Sequence, residues 1–160
     1  MKQFKIVPLS KEYAARVRQS CMDGFGHAVI EQTATGLGPC RVSLKPFARG
    51  IDRRLLLTHS PFTIDNAFNQ PGPIFIQADE VEEYADICRF PPEIKADKQH
   101  FPLTLIGYND EQMMVHTELV GDKDVDDLIV EIFNRRPNVA YLHARNAEAC
   151  CYLCKIERVE

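Results

Sequence analysis

Three groups of side chains in this 160-residue chain have the types and spacing to do chemistry. The first is Arg41 with His143 and Arg145. His143 and Arg145 stand two residues apart, so a strand would show both on one face. If that strand runs beside Arg41, the three converge into a patch that binds an anion. The competing reading is a solvated sheet face with alternating polar residues. The second group is Cys40 with His59, a thiol and an imidazole of the nucleophile-and-base kind. Cys40 also continues the alternation Cys40, Val42, Leu44, which suits an inert core thiol. The third is Cys150-Cys151-Tyr152-Leu153-Cys154, where Cys151 and Cys154 form a CxxC. At a helix start or knuckle that spacing suits zinc or redox chemistry. Here the stretch reads as a strand, in which residues three apart face opposite ways. Cys150 and Cys154 share a face but lie roughly 13 Å apart at ~3.3 Å per residue. Buried structural thiols are therefore expected, and no metal or cofactor is called for.

These groups need elements to hold them. The central stretch runs from Arg53 to Cys88. Leu55–Leu57 and Ile74–Ile76 are short apolar runs that suit neighbouring strands in the interior, buried on both faces. Between them, His59 to Pro73 is longer than the usual connection and bounded by prolines. A loop of that length is either a functional rim or a cover over the core edge. Asp65, Asn66, Asn69 and Gln70 would complete an anion pocket or merely make turns. His59, at the strand end beside the loop, is the best-placed general base. Asp79 to Cys88 predicts a helix. Asp79 would be its N-cap and Glu82 its capping-box partner, with Val81, Tyr84, Ala85 and Cys88 on one face. Helix-start chemistry then accounts for the acidic cluster 79–83.

Elsewhere, Phe4–Val7 predicts a strand, and Ser10 caps a helix running to about Cys21. Residues 24–26 and 33–38 read as loop, without a phosphate-binding glycine fingerprint. Cys40–Lys45 predicts a strand forming a hairpin with the Leu55 run. Residues 90–101 read as irregular. Leu103–Tyr108 and Met113–Val120 predict a hairpin around Asn109-Asp110-Glu111. A helix starts at Asp122 or Asp124 and ends at Pro137, with Val125, Leu128, Ile129, Ile132 and Phe133 on one face. It would connect the strands at Val115 and Tyr141 as a crossover, in parallel. Val139–Arg145 and Cys150–Val159 predict two last strands. The fold class expected is α+β, a mixed and mostly antiparallel sheet of about seven strands with about three helices.

Apolar residues make up 45% of the chain and charged residues 26%, ordinary values for a globular protein. Residues 1–160 are expected to form a single domain. A net charge of −4 with scattered basic residues argues against nucleic acid. No run approaches the ~20 apolar residues of a membrane span, and no signal-peptide core is present. A cytoplasmic location is expected, where six cysteines stay mostly reduced.

Four motifs occur in a telling order: Pro39-Cys40-Arg41; Leu55-Leu56-Leu57 with Pro61-Phe62; Gly72-Pro73-Ile74-Phe75-Ile76-x-Ala78; and His143-x-Arg145-Asn146-Ala147 with a following Cys. In that order the chain resembles a mainly bacterial family of uncharacterised proteins, "domain of unknown function 1203", from about Gly38 to the C-terminus. The family pattern commonly has His where this chain has Gln77. The resemblance implies that these motifs belong to one domain. It implies no activity.

The expectation drawn from the residues is a small-molecule-binding domain or small enzyme with a small anionic metabolite as ligand. Arg41, His143, Arg145, Asp65 and Asn66 would bind it, and His59 would be the catalytic residue of any reaction. The alternative is a noncatalytic interaction domain, a homodimer or a protein-partner module, in which the same loop is an interface.

Overall fold

The computed structural model describes residues 3–160. It contains β1 (Phe4–Val7), α1 (Lys11–Ser20), β2 (Ile30–Thr33), β3 (Arg53–His59) and β4 (Gly72–Gln77). The chain continues with α2 (Pro92–Lys95), β5 (Leu103–Tyr108), β6 (Met114–Leu119), α3 (Val125–Arg135), β7 (Tyr141–Asn146) and β8 (Tyr152–Arg158). The α+β class stands. The strands, however, divide into two sheets, β1-β8-β7-β5-β6 and β2-β3-β4, and every pairing is antiparallel.

The two apolar triplets do lie side by side. Leu55 pairs with Ile76, and Leu57 with Ile74. All four are buried, while Leu56 and Phe75 on the other face are only half-buried. One face of this small sheet therefore packs inward, against Ala14 and Val17 of α1 and against Val42 and Phe47. Ser10 starts α1 by accepting a hydrogen bond from Tyr13 N at 3.1 Å. Cys21 stops it in the left-handed region with φ 56°.

A second core fills one side of the five-stranded sheet. Ile6, Leu105, Leu142 and Ile156 meet Leu128, Ile129 and Ile132 of α3 there. Asp124 caps α3 through Asp127 N at 3.1 Å. A cap is worth about 1 kcal/mol, whereas each fully buried aliphatic side chain contributes about 1.5–3 kcal/mol. With five buried apolar residues on one face, packing rather than capping holds α3 in place.

Four expectations are corrected. Cys40–Lys45 is a turn, with Leu44 at φ 53°. Its alternation was a core signal without a strand: Cys40, Val42 and Leu44 are all buried, but Leu44 joins the other core. The hairpin partners of β3 are accordingly β2 and β4; β2 is not expected from sequence, where its last residue Thr33 reads as loop. Asp79–Cys88 is not a helix but an irregular strap. A ten-residue helix is marginal alone, and here neighbours take the backbone groups. Tyr84 N donates to Val42 O at 3.0 Å, and Ile87 O accepts from Ile6 N at 2.7 Å. Glu83 serves a different helix, accepting from Lys11 N at the start of α1. Residues 90–101, read as irregular, contain the single turn α2. Finally, α3 crosses between two strands that run in the same direction, but they are not paired, because β5 lies between β6 and β7 and is antiparallel to each.

Among the described residues, no helix is long and apolar enough to cross a membrane.

Candidate functional site

The side of the five-stranded sheet away from α3 carries Tyr141, His143 and Arg145 from β7, facing Ile106 and Tyr108 of β5. The β3–β4 loop folds over this side. Its turns are local: Asn66 Oδ1 accepts from Phe68 N at 2.9 Å, and Asn69 Nδ2 donates to Ile64 O at 2.8 Å. Its tip is tied to the β5–β6 turn. Thr63 N donates to Gln112 Oε1 at 3.0 Å, and Asn66 Nδ2 donates to Gln112 O at 3.2 Å. The tie drives Phe62 inward, with its ring 5.0 Å from both Tyr108 and His143.

Between the loop and the sheet lies a cleft of about 460 Å³, within the range that suits a small molecule. His59, Phe68, Tyr108, Arg145 and Tyr152 line it, with Cys150 and Cys151 beside them. Arg145 comes from β7. One of its amino groups donates to Cys150 O at 3.2 Å, and its guanidinium lies 5.9 Å from the Tyr152 ring. It takes part in no ion pair among the described residues. The lining includes no Asp or Glu.

His59, the last residue of β3, sits between Tyr13 and Tyr152, with ring centroids 5.8 and 5.9 Å away. Burial, and then the nearby Arg41 cation, push its pKa down to about 4. His143 is fully buried behind Tyr108 and Tyr152, at 4.8 and 5.0 Å. Burial, followed by Arg145, Lys155 and His59, pushes its pKa down to about 3. Both imidazoles are neutral near pH 7. Burial raises the phenols of Tyr108 and Tyr152, so they too stay uncharged. The cleft is thus an aromatic enclosure with one cation.

Of the residues singled out from sequence, the fold brings His59, His143 and Arg145 to one place, with His143 one layer behind the wall. Arg41 lies behind the wall as well, 2% exposed. Its Nε donates to Tyr152 O at 2.6 Å, a second guanidinium nitrogen donates to Pro39 O, and its own N donates to Phe75 O at 3.0 Å. It braces β8 against β4. Gly38, at φ 80°, leads into this turn, and a Cβ there would run into the Phe47 ring. Asp65 and Asn66 are not part of the cleft lining; Asn66 instead helps tie the loop tip.

Cys40 is in the core, its sulfur accepting from Gln77 N at 3.3 Å, whereas His59 faces the cleft. Cys154 is buried, and burial pushes its thiol up to about 12. The expectation of buried thiols fails for its neighbours: Cys150 is exposed and Cys151 half-buried, both on the cleft wall. Among the described residues, no group of three or more His, Cys, Asp or Glu could hold a metal ion.

The family model described as "Protein of unknown function (DUF1203)" matches residues 38–158. The chain belongs to that family. No curated protein and no solved structure matches it. The matched range holds both cationic residues of the predicted patch, the whole β3–β4 loop and every residue of the cleft lining. The first strand, the first helix and β2 lie outside it.

Sequence reasoning missed Tyr108, Tyr152 and Phe68 as parts of the site. A signal existed for the sheet side, since Tyr141, His143 and Arg145 alternate on one strand face. Nothing local connected Phe68 or Tyr152 to that face.

Proposed function

We propose that this protein binds a small anionic metabolite in the cleft beneath the β3–β4 loop, with Arg145 as the group that takes the anion. One observation carries this: the lining holds an arginine without an ion-pair partner among the described residues and holds no carboxylate. A guanidinium keeps its charge at any working pH and offers a planar fork of donors to a carboxylate or phosphate. In a partly dewatered cleft such a contact is stronger than in bulk water. The aromatic rings supply apolar area for the rest of the ligand.

His59 adds a neutral imidazole that can donate or accept one hydrogen bond to the ligand. With a pKa near 4 it takes a proton only weakly, so its part in this proposal is binding, and no reaction is assigned. Six free thiols accord with a reducing, cytoplasmic setting.

A thermal-shift screen of small carboxylates and phosphates tests the proposal. A true ligand at a hundred times its Kd stabilises the folded state by about 2.7 kcal/mol. Arg145→Ala should abolish that shift and leave the melting temperature of the free protein nearly unchanged, because the arginine is only half-buried. If no anion shifts the wild-type protein, or if the shift survives in Arg145→Ala, the proposal is wrong.

A further inference from the structure

His143 is 0% exposed, and neither Nδ1 nor Nε2 has a hydrogen-bond partner. No other buried side-chain nitrogen or oxygen among the described residues is left in that state. An unbonded polar group in the interior is costly, so such a group calls for a reason. Packing is no reason. The rings of Phe62, Tyr108, Tyr141 and Tyr152 surround the imidazole at 5.0, 4.8, 5.2 and 5.0 Å. A phenylalanine would fill that space without the cost.

The position of His143 relative to the cleft supplies the reason. Tyr108 and Tyr152 are at once its neighbours and part of the cleft wall. Arg145 stands on the same face of β7, about 6–7 Å further along at the strand repeat. The cleft thus brings together a guanidinium without an ion-pair partner among the described residues, a band of aromatic rings, and behind them an imidazole with two unused nitrogens. The barrier between cleft and imidazole is made of the Tyr108 and Tyr152 side chains, and Phe62 of the loop packs on the imidazole beside them.

We infer that the ligand is an aromatic carboxylate bearing a hydroxyl or similar hydrogen-bonding group at the end opposite its carboxylate. This rests on the anion-binding reading above and specifies its ligand. Arg145 takes the carboxylate. The ligand ring slots among Tyr108, Tyr152 and Phe62 in offset or edge-on contact, the favoured arrangements of aromatic rings. The far group reaches His143, and Phe62 shifts to admit it. A neutral imidazole has one donor and one acceptor nitrogen, so it matches a hydroxyl.

Titration calorimetry with 4-hydroxybenzoate, benzoate and acetate, on wild type, His143→Phe and Arg145→Ala, provides the test. Wild type should bind 4-hydroxybenzoate about tenfold more tightly than benzoate, the equivalent of one net hydrogen bond. His143→Phe should equalise the two while still binding benzoate, and Arg145→Ala should lose both. Thermal denaturation of unliganded His143→Phe should show a protein as stable as wild type or more so. Equal wild-type affinities for the two aromatic acids would overturn the inference. So would a destabilised His143→Phe, which would mean that a permanent buried water satisfies the nitrogens. If acetate binding then still depends on Arg145, the anion-binding reading survives alone. If none of the three probes binds, the inference falls, and the anion-binding reading is decided by the phosphates of the thermal-shift screen.

Discussion

Asp23 and His143 are both buried and titratable, and the protein treats them in opposite ways. The Asp23 carboxylate accepts from Phe25 N at 2.8 Å, His27 N at 3.0 Å and Thr58 N at 2.9 Å. Burial alone would raise its pKa, but the backbone donors of Thr58, His27 and Phe25 outweigh it and hold the group at about 2. The result is a staple that pins the loop after α1 to the end of β3, next to His59. Arg41 belongs with Asp23, since its guanidinium is occupied by the carbonyls of Tyr152 and Pro39. His143 is buried more completely and its ring nitrogens have no hydrogen-bond partner. Polar groups that complete their hydrogen bonds inside the fold hold the fold together. One that does not is available to something else.

The comparison is breakable by mutation. The largest effect is expected from Arg41→Ala, which strips the donors from two carbonyls and leaves a void between β4 and β8. A loss of about 3 kcal/mol in urea unfolding is expected, and a loss under about 1 kcal/mol would show that Arg41 does not brace the sheets. Asp23→Ala comes next, at about 2 kcal/mol, because it leaves three backbone N–H groups without their charged acceptor. Hydrogen exchange should show the faster opening at Phe25, His27 and Thr58; unchanged exchange there would refute the staple.

The pH dependence separates the two kinds of group. His59 and His143 have folded-state pKa values of about 4 and 3, below the ordinary 6.5. Above 6.5 neither is charged in either state, and they add no pH dependence. As pH falls from 6.5 towards 4, the unfolded chain takes up protons that the folded protein refuses, so stability declines. Asp23 contributes nothing in that window. Its stabilisation is present above 3.8 and is lost only as pH falls towards 2. The melting temperature of wild type should therefore drop between pH 6.5 and 4.5, and His143→Phe should drop less. An identical slope in the two proteins would place the His143 pKa near its ordinary value.

Much of the site's frame was readable from local pattern. Leu55–Leu57 and Ile74–Ile76 announced β3 and β4 because three large apolar residues between turn signals have few other uses. The strand containing His143 and Arg145 was readable by alternation, and α3 by its five-residue apolar face. The failures share a cause. Residues 79–88 have the caps and the spacing of a helix, yet Val42 and Ile6 bond to their backbone and draw them out as a strap. Cys40, Val42 and Leu44 alternate as apolar residues as they would in a strand, yet they lie in a turn inserted between two cores, where Arg41 is buried with them. Depth sorts the members of the expected patch of Arg41, His143 and Arg145. Arg41 ends as a brace, Arg145 in the cleft, and His143 between aromatic rings.

Sequence alone determined the α+β class, the strand carrying His143 and Arg145, the long loop between two apolar strands and the placement of His59 at its start. These follow from short-range periodicity and turn chemistry, which act between residues close in the chain. Tertiary structure decided that the strands form two sheets and that the loop lies over the aromatic side of one of them. It also decided which buried polar groups find partners. Those outcomes depend on contacts between residues as far apart in sequence as Arg41 and Tyr152. No local pattern encodes whether a hydrogen bond waits at the other end.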